Sequence, residues 1–95
     1  MMRIGVLEVR LHLPGVHSLK EKRSIVKGLL ARIRNQFEVA AAEVDHLDLW
    51  QSAGLGMAAV GNDTALLQSR LRKVVTFIEQ SGQASVADFR VDVIT

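Results

Sequence analysis

The chain has 95 residues, of which 48% are hydrophobic, and its twelve Lys and Arg against ten Asp and Glu give a net charge of +2. The absence of cysteine excludes disulfides, thiolate zinc sites and a cysteine nucleophile. No segment reaches the ~18 apolar residues of a membrane span, and the N-terminus is not a signal peptide. We therefore expect one cytoplasmic domain over residues 1–95, and so large an apolar share favours burial of part of it against a second copy.

Residues 3–13 alternate between apolar and polar side chains, which predicts a half-buried strand whose inward residues are Leu7, Val9, Leu11 and Leu13. Ser18 and Glu21 form an S-x-x-E capping box, which predicts the start of a helix. Residues 37–44 and 51–60 predict two further strands. A second helix is predicted from Thr64 to Ser81, with Gly82 as its stop, and residues 86–94 predict the last strand.

The order strand, helix, strand, strand, helix, strand is typical of the ferredoxin-like α+β fold, βαββαβ. It predicts a four-stranded antiparallel sheet with two helices on one face and an open second face. We expect both helices to begin at the end of the sheet where the first strand ends. His12 and His17 would then lie at one end and His46 at the other, too far apart to share a metal.

Two segments, "SLKEKRS" and "EVDHLDLWQ", are too specific to arise from composition or periodicity. With the residues around them they resemble the YlxP-like family of small, uncharacterised bacterial proteins, and the resemblance spans nearly the whole chain. It implies a ferredoxin-like fold. It also implies a link to translation, because genes of this family often lie beside genes for ribosome maturation and translation initiation. No catalytic residue is carried over.

The segment "EVDHLDLW" raises the question of a metal or acid–base centre, since it offers Glu43, Asp45, His46 and Asp48. One imidazole with carboxylates on a short turn is a poor ligand set, so we predict no metal and no cofactor. The favoured interpretation is a structural corner. Asp45 and Asp48 would accept bonds from backbone amides or pair with Arg32 and Arg34.

In the same interpretation Leu47 and Leu49 close the core, and Trp50 projects to the open face beside Gly54 and Gly56. The alternative is that Trp50, Gly54 and Gly56 form an interface, because tryptophan is enriched in binding hot spots.

The start of the first helix is rich in cations, which makes it a candidate nucleic-acid or anion-binding site with the residues His17, Lys20, Lys22, Arg23 and Lys27. Long basic side chains that merely flank the apolar face of the helix are the other interpretation. The open sheet face has no central aromatic residue, so it is not a base-stacking platform, and its small residues suit a second protein surface.

No Walker loop, nucleophile elbow, dinucleotide fingerprint or acylphosphatase loop is present, so we predict a non-enzymatic protein. The predicted partner is ribosomal RNA or a ribosome-associated protein, bound by the basic end of the first helix. The alternative is a homodimeric structural or adaptor protein that uses the open face and Trp50. A homo-oligomer is expected in addition, and a small-ligand sensor or an undetected enzyme remains a third hypothesis.

Overall fold

The computed structural model describes residues 1–94 and contains six elements. In chain order they are β1 (Arg3–His12), α1 (Leu19–Gln36), β2 (Ala40–Asp45), β3 (Ser52–Gly61), α2 (Thr64–Gln80) and β4 (Ser85–Ile94). The four strands form one antiparallel sheet in the order β2-β3-β1-β4. This confirms the predicted ferredoxin-like α+β fold. None of the helices in residues 1–94 is long and apolar enough to cross a membrane.

The core lies between the sheet and the two helices, as the alternation of β1 predicted. Leu7, Val9 and Leu11 are all buried, and so are the α2 residues Leu67 and Leu71. The α1 contribution is a stripe of buried apolar residues at helical spacing: Val26, Leu29, Leu30 and Ile33. Because both stripes belong to the same core, both helices cover one face of the sheet and leave the other open.

The helix ends follow local rules that the sequence displays. The Ser18 hydroxyl accepts a hydrogen bond from the Glu21 amide at 3.1 Å, which confirms the predicted N-cap of α1. The Glu21 carboxylate accepts from the His17 amide at 3.3 Å, one residue before the cap. Asp63 caps α2 by accepting from the Leu66 amide at 3.2 Å, and Gly82, with φ of 78°, follows its end.

We expected both helices to begin at the same end of the sheet, and this prediction was wrong. His12, at the end of β1, pairs with Ser52 at the start of β3, and α1 follows from this end of the sheet. Gly61, at the end of β3, pairs with Arg3 at the start of β1, so α2 begins at the opposite end. The reason is topological. Both β1 and β2 are antiparallel to β3 and hence parallel to each other, so α1 must carry the chain back along the sheet before β2 begins.

The same topology brings the ends of β1 and β2 together with the start of α1. The segments "SLKEKRS" and "EVDHLDLWQ" therefore meet at one end of the molecule.

Candidate functional site

Lys22 joins these two segments from inside the protein. Its side chain has 0% exposure, and its ammonium lies 2.8 Å from Glu43 Oε2 and donates a 2.6 Å hydrogen bond to the His46 carbonyl. Its helix position explains the burial, because Lys22 is one turn before Val26 on the inward stripe of α1. The prediction that Lys22 contacts a nucleic acid or an anion was therefore wrong. We call Lys22, Glu43 and His46 the strand-end cluster.

Glu43 faces the helices from β2 and is only 13% exposed at its side chain. Its buried Oε2 has the ion contact with Lys22 but no hydrogen bond of good geometry within residues 1–94. The directed bond of the ammonium goes to His46 instead. Each charge of the pair is thus compensated mainly by the other, in a region with little access for water.

His46 adopts a left-handed backbone conformation, with φ of 57°. Three interactions hold it: its amide donates to Asp45 Oδ1 at 2.9 Å, its Nδ1 lies 2.7 Å from the Ser52 hydroxyl, and its carbonyl also accepts from the Leu49 amide at 3.1 Å. A positive φ is uncommon for a residue with a Cβ and persists where neighbours define it. The turn after β2 is accordingly a structural corner. Asp45 accepts from the amide of the next residue, whereas Asp48, for which the same role was predicted, accepts no hydrogen bond within residues 1–94.

Other parts of the corner prediction were wrong. Arg32 and Arg34 lie near the far end of α1, where Arg32 bonds the Gln83 side chain at 2.9 Å and Arg34 bonds the Ala41 carbonyl at 2.7 Å. Leu47 and Leu49 do not close the core, since they are 52% and 51% exposed. The cation that stabilises this turn is Lys22.

The expected separation of the histidines was also wrong. His12 pairs in register with Ser52, and the His46 ring contacts the same serine, so both histidines lie at one end of the sheet, with His17 between β1 and α1. Proximity alone does not make a ligand set. Residues 1–94 contain no group of three or more His, Asp or Glu side chains placed to hold a metal ion.

The open face has two unlike halves. Near the strand-end cluster, Arg10 pairs with Asp88 at 2.8 Å and Arg90 with Glu8 at 3.3 Å. The other half is apolar apart from Asp92, which lies opposite Val6, and its apolar outward residues are Ile4, Val6, Ala40, Ala42, Ala58, Val60 and Ile94. We call this set the apolar half-face.

The interface predicted for Trp50, Gly54 and Gly56 does not form one surface. A Cβ added at Gly54 would lie 2.7 Å from the Asp45 Cβ, and one added at Gly56 would meet Val44 at 3.3 Å. Gly54 is buried and cannot reach a partner, and Asp45 and Val44 cover the glycines that Trp50 was expected to shield. Trp50 is 52% exposed at the strand-end cluster, away from the apolar half-face.

The helices concentrate positive charge. They contain nine of the twelve Lys and Arg residues and only two of the ten acidic residues. Of these cations, five are exposed and have side chains that form no hydrogen bond or ion pair within residues 1–94: Lys20, Arg23, Lys27, Arg72 and Lys73. We call these five exposed cations the basic surface, which is divided between α1, with three of them, and α2, with two. Three residues of the predicted site, Lys20, Arg23 and Lys27, belong to it, and exposed His17 lies next to the start of α1.

Glu43 and the basic residues of α2 were absent from the predicted site. Two signals pointed to Glu43: Lys22 falls on the inward stripe of α1, and Glu43 occupies an inward position of β2 at alternating spacing with Ala41. A buried lysine needs an acceptor or an anion, so the buried position of Lys22 predicts Glu43 as its partner once the strands are placed. The basic residues of α2 could have been found from the sequence by counting the charges in each predicted helix and strand.

Both the sequence and the fold of this chain resemble those of known proteins. The chain is 36% identical to "Uncharacterized protein YlxP" of Bacillus subtilis (strain 168) over 76 residues, which cover 80% of this chain and 83% of that protein. A solved structure described as "Structural Genomics, protein YJCS" is similar in fold, with a TM-score of 0.56 at 14% identity, covering 97% of this chain and 99% of that one. Residues 4–91 match the family described as "Protein of unknown function (DUF503)". The chain belongs to this DUF503 family.

Proposed function

We propose that this protein binds the phosphate backbone of RNA through the basic surface, in association with ribosomal particles. The observation that carries the proposal is the segregation of charge between the helices and the rest of the chain. The helices hold nine basic and two acidic residues, whereas the rest of the chain holds three basic and eight acidic ones. The net charge of +2 does not reveal this uneven distribution of charge. The distribution would orient the helix layer towards a polyanion.

The basic surface is suited to phosphates rather than bases. Its members are Lys and Arg side chains with no exposed aromatic residue between them. Phe37, at the end of α1, and Phe77, in α2, are half-buried and pack edge to face with ring centroids 5.7 Å apart. The exposed aromatics, Trp50 and Phe89, lie in the turn before β3 and on β4 and not on the helices. Proteins that read unpaired bases stack them on exposed aromatic rings. The proposed contact is therefore to the backbone of structured RNA, with little dependence on base sequence.

The size of the effect follows from the number of free cations. If all five members of the basic surface contact phosphates, the logarithm of the binding constant should fall with the logarithm of salt concentration with a slope of about −3.5 to −4.5. Arg32, Arg34 and Arg70 donate hydrogen bonds to acceptors within the protein. They therefore add to the positive electrostatic potential more than to direct phosphate contacts. A slope near zero would contradict the proposal even if some binding were seen.

The direct test is co-sedimentation with ribosomal particles at low salt, with and without nuclease, for the wild type and two double variants. Lys20→Glu/Arg23→Glu should abolish co-sedimentation. Glutamate in the first turn of a helix is favourable, so this variant should retain its fold. Arg3→Glu/Arg10→Glu makes the same change in net charge on the sheet and should keep binding. Equal losses in both variants, or none in either, would overturn the proposal.

A second candidate function is that of a protein adaptor that binds another protein through the apolar half-face. The observation in its favour is the exposure of large apolar residues there, with Val60 at 60% and Ile94 at 53%. This function predicts capture of a protein partner that survives nuclease and high salt and is lost in Val60→Asp. Trp50 belongs to a different end of the molecule, so Trp50→Ala should leave that capture unchanged.

A further inference from the structure

The two edges of the sheet are protected to different degrees. The β2 edge is six residues long, and Arg34 covers it by donating from Nε and Nη2 to the Ala41 carbonyl at 3.2 and 2.7 Å. The β4 edge runs for ten residues. Within residues 1–94, the one side-chain hydrogen bond to the β4 backbone is local, from the Val93 amide to Asp92 Oδ1 at 2.9 Å. The long edge is thus the one left open to another strand.

The side chains of β4 are unusual for an edge exposed to water. Phe89, which lies opposite Val9 on the helix-facing side, is 47% exposed, and Ile94 is 53% exposed. Burial of an aromatic ring of this kind is favourable, and edge strands commonly avoid such exposure because it promotes pairing with other chains.

The charges of β4 select the register in which a second copy could pair with it. Antiparallel pairing with Val91 on the two-fold axis places Arg90 of each copy opposite Asp92 of the other, and Phe89 opposite Val93. Pairing centred on Arg90 would place two arginines opposite each other and is unfavourable. Pairing centred on Phe89 would use Asp88, which already binds Arg10 at 2.8 Å, and would cross the bulge near that end of β4.

Arg90 takes part in both the Val91-centred and the Phe89-centred register, and its guanidinium has donors beyond the one that contacts Glu8 at 3.3 Å, so the free carboxylate decides between them. Asp92 is that carboxylate. It forms no ion pair within the part of the chain that the structure describes, unlike Asp88, and its one local bond is to an edge amide that strand pairing would redirect. We propose that two copies of this chain pair through their β4 edges, antiparallel and with Val91 at the two-fold axis, to form a continuous eight-stranded sheet.

This arrangement has a consequence for the helix layer. A two-fold axis perpendicular to a continuous sheet keeps both helix layers on the same side, so the dimer presents two basic surfaces side by side. The apolar half-faces also remain free on the opposite side. This dimer does not depend on the proposed RNA binding, because the charges and the edge that would form it belong to the sheet.

The test is sedimentation velocity over a range of protein concentrations. The wild type should form a dimer, and Asp92→Arg and Arg90→Asp should each weaken it at least tenfold, because each variant places like charges opposite each other in both pairs. An equimolar mixture of the two variants should dimerise again, since one copy then carries two positive charges and its partner two negative charges at the facing positions. Asp48→Arg, which makes the same charge change in an exposed turn, is the matched control and should behave as wild type.

The same series can overturn the inference. A wild type that stays monomeric at every concentration would do so. So would a dimer that both single variants retain, or one that Val60→Asp on the open face disrupts while Asp92→Arg does not. Failure of the mixed variants to associate, with each still folded by circular dichroism, would exclude the proposed register. If the wild type is monomeric but binds RNA, the proposed function is supported and the β4 interface is excluded.

Discussion

The ion pair of the strand-end cluster predicts a large loss of stability when Lys22 is replaced. In Lys22→Met the side chain keeps its length but loses its charge, so Glu43, whose side chain is only 13% exposed, is left without a counter-ion. Removal of one partner of a buried ion pair costs about 3–5 kcal/mol. We expect a loss of about 3 kcal/mol, the lower end of this range, because Glu43 retains some access to water.

That loss is large for this chain. Domains of this length have a free energy of unfolding of about 5–14 kcal/mol, so the variant should be folded but markedly weakened. The corresponding decrease in Tm is about 12–24 °C. Urea unfolding followed by far-UV circular dichroism measures the global effect, and Trp50 emission reports whether the adjoining turn loosens first. Lys27→Met, an exposed lysine of the same helix, is the matched control and should change stability by less than about 0.5 kcal/mol.

A double-mutant cycle separates the pair from its surroundings. Lys22→Met/Glu43→Leu removes both charges, and replacement of a whole buried pair by apolar residues is often neutral or stabilising. The His46 carbonyl still accepts from Leu49 at 3.1 Å. Glu43→Leu alone should cost about 3–5 kcal/mol, because it leaves the fully buried Lys22 ammonium without a counter-ion. We therefore expect the double variant to recover to within about 1.5 kcal/mol of wild type, which corresponds to a coupling energy of at least about 4.5 kcal/mol. Additive losses, or a Lys22→Met variant as stable as the Lys27→Met control, would refute this account of the cluster.

Two further predictions concern the backbone next to the cluster, and both are measured by urea unfolding. Gly54→Ala should lower the free energy of unfolding by about 1–3 kcal/mol, because the new Cβ would lie 2.7 Å from that of Asp45. Gly56→Ala, whose nearest neighbour would be at 3.3 Å, should cost less, and equal losses would contradict the close approach at Gly54. His46→Val should be about 1–3 kcal/mol less stable than His46→Asn, because a β-branched residue resists the φ of 57° that asparagine tolerates. Both variants lose the ring contact with Ser52, so equal stability would mean that the turn relaxes to another conformation.

Membership of a family of unknown function means that function must be inferred from the surfaces themselves. The strand-end cluster contains the most distinctive residues of the chain, but its central charge is buried and already compensated. The basic surface is less distinctive in sequence, yet its charges are exposed and free. A binding role is therefore better supported by the helix layer, and the cluster serves to hold the turn and the start of α1 in place.

The sequence by itself determined the elements that depend on local chemistry. The alternation in β1, the Ser18 and Asp63 caps, the stop at Gly82 and the apolar stripes of both helices follow from side-chain periodicity and hydrogen bonding within a few residues. Where the pattern was weak, the bounds shifted: β2 was predicted over residues 37–44 but is Ala40–Asp45, since its alanines carry little periodicity and Phe37 ends the helix.

The tertiary structure alone decided which ends meet and which charges are hidden. A helical lysine on the inward stripe looks like a tolerated irregularity until β2 brings Glu43 to face it. Three basic residues at one helix start look equivalent until the fold buries Lys22 and leaves Lys20 and Arg23 in water. The physical reason is that burial and pairing depend on segments distant in sequence, such as residues 22 and 43, whose approach is set by strand direction and not by local pattern.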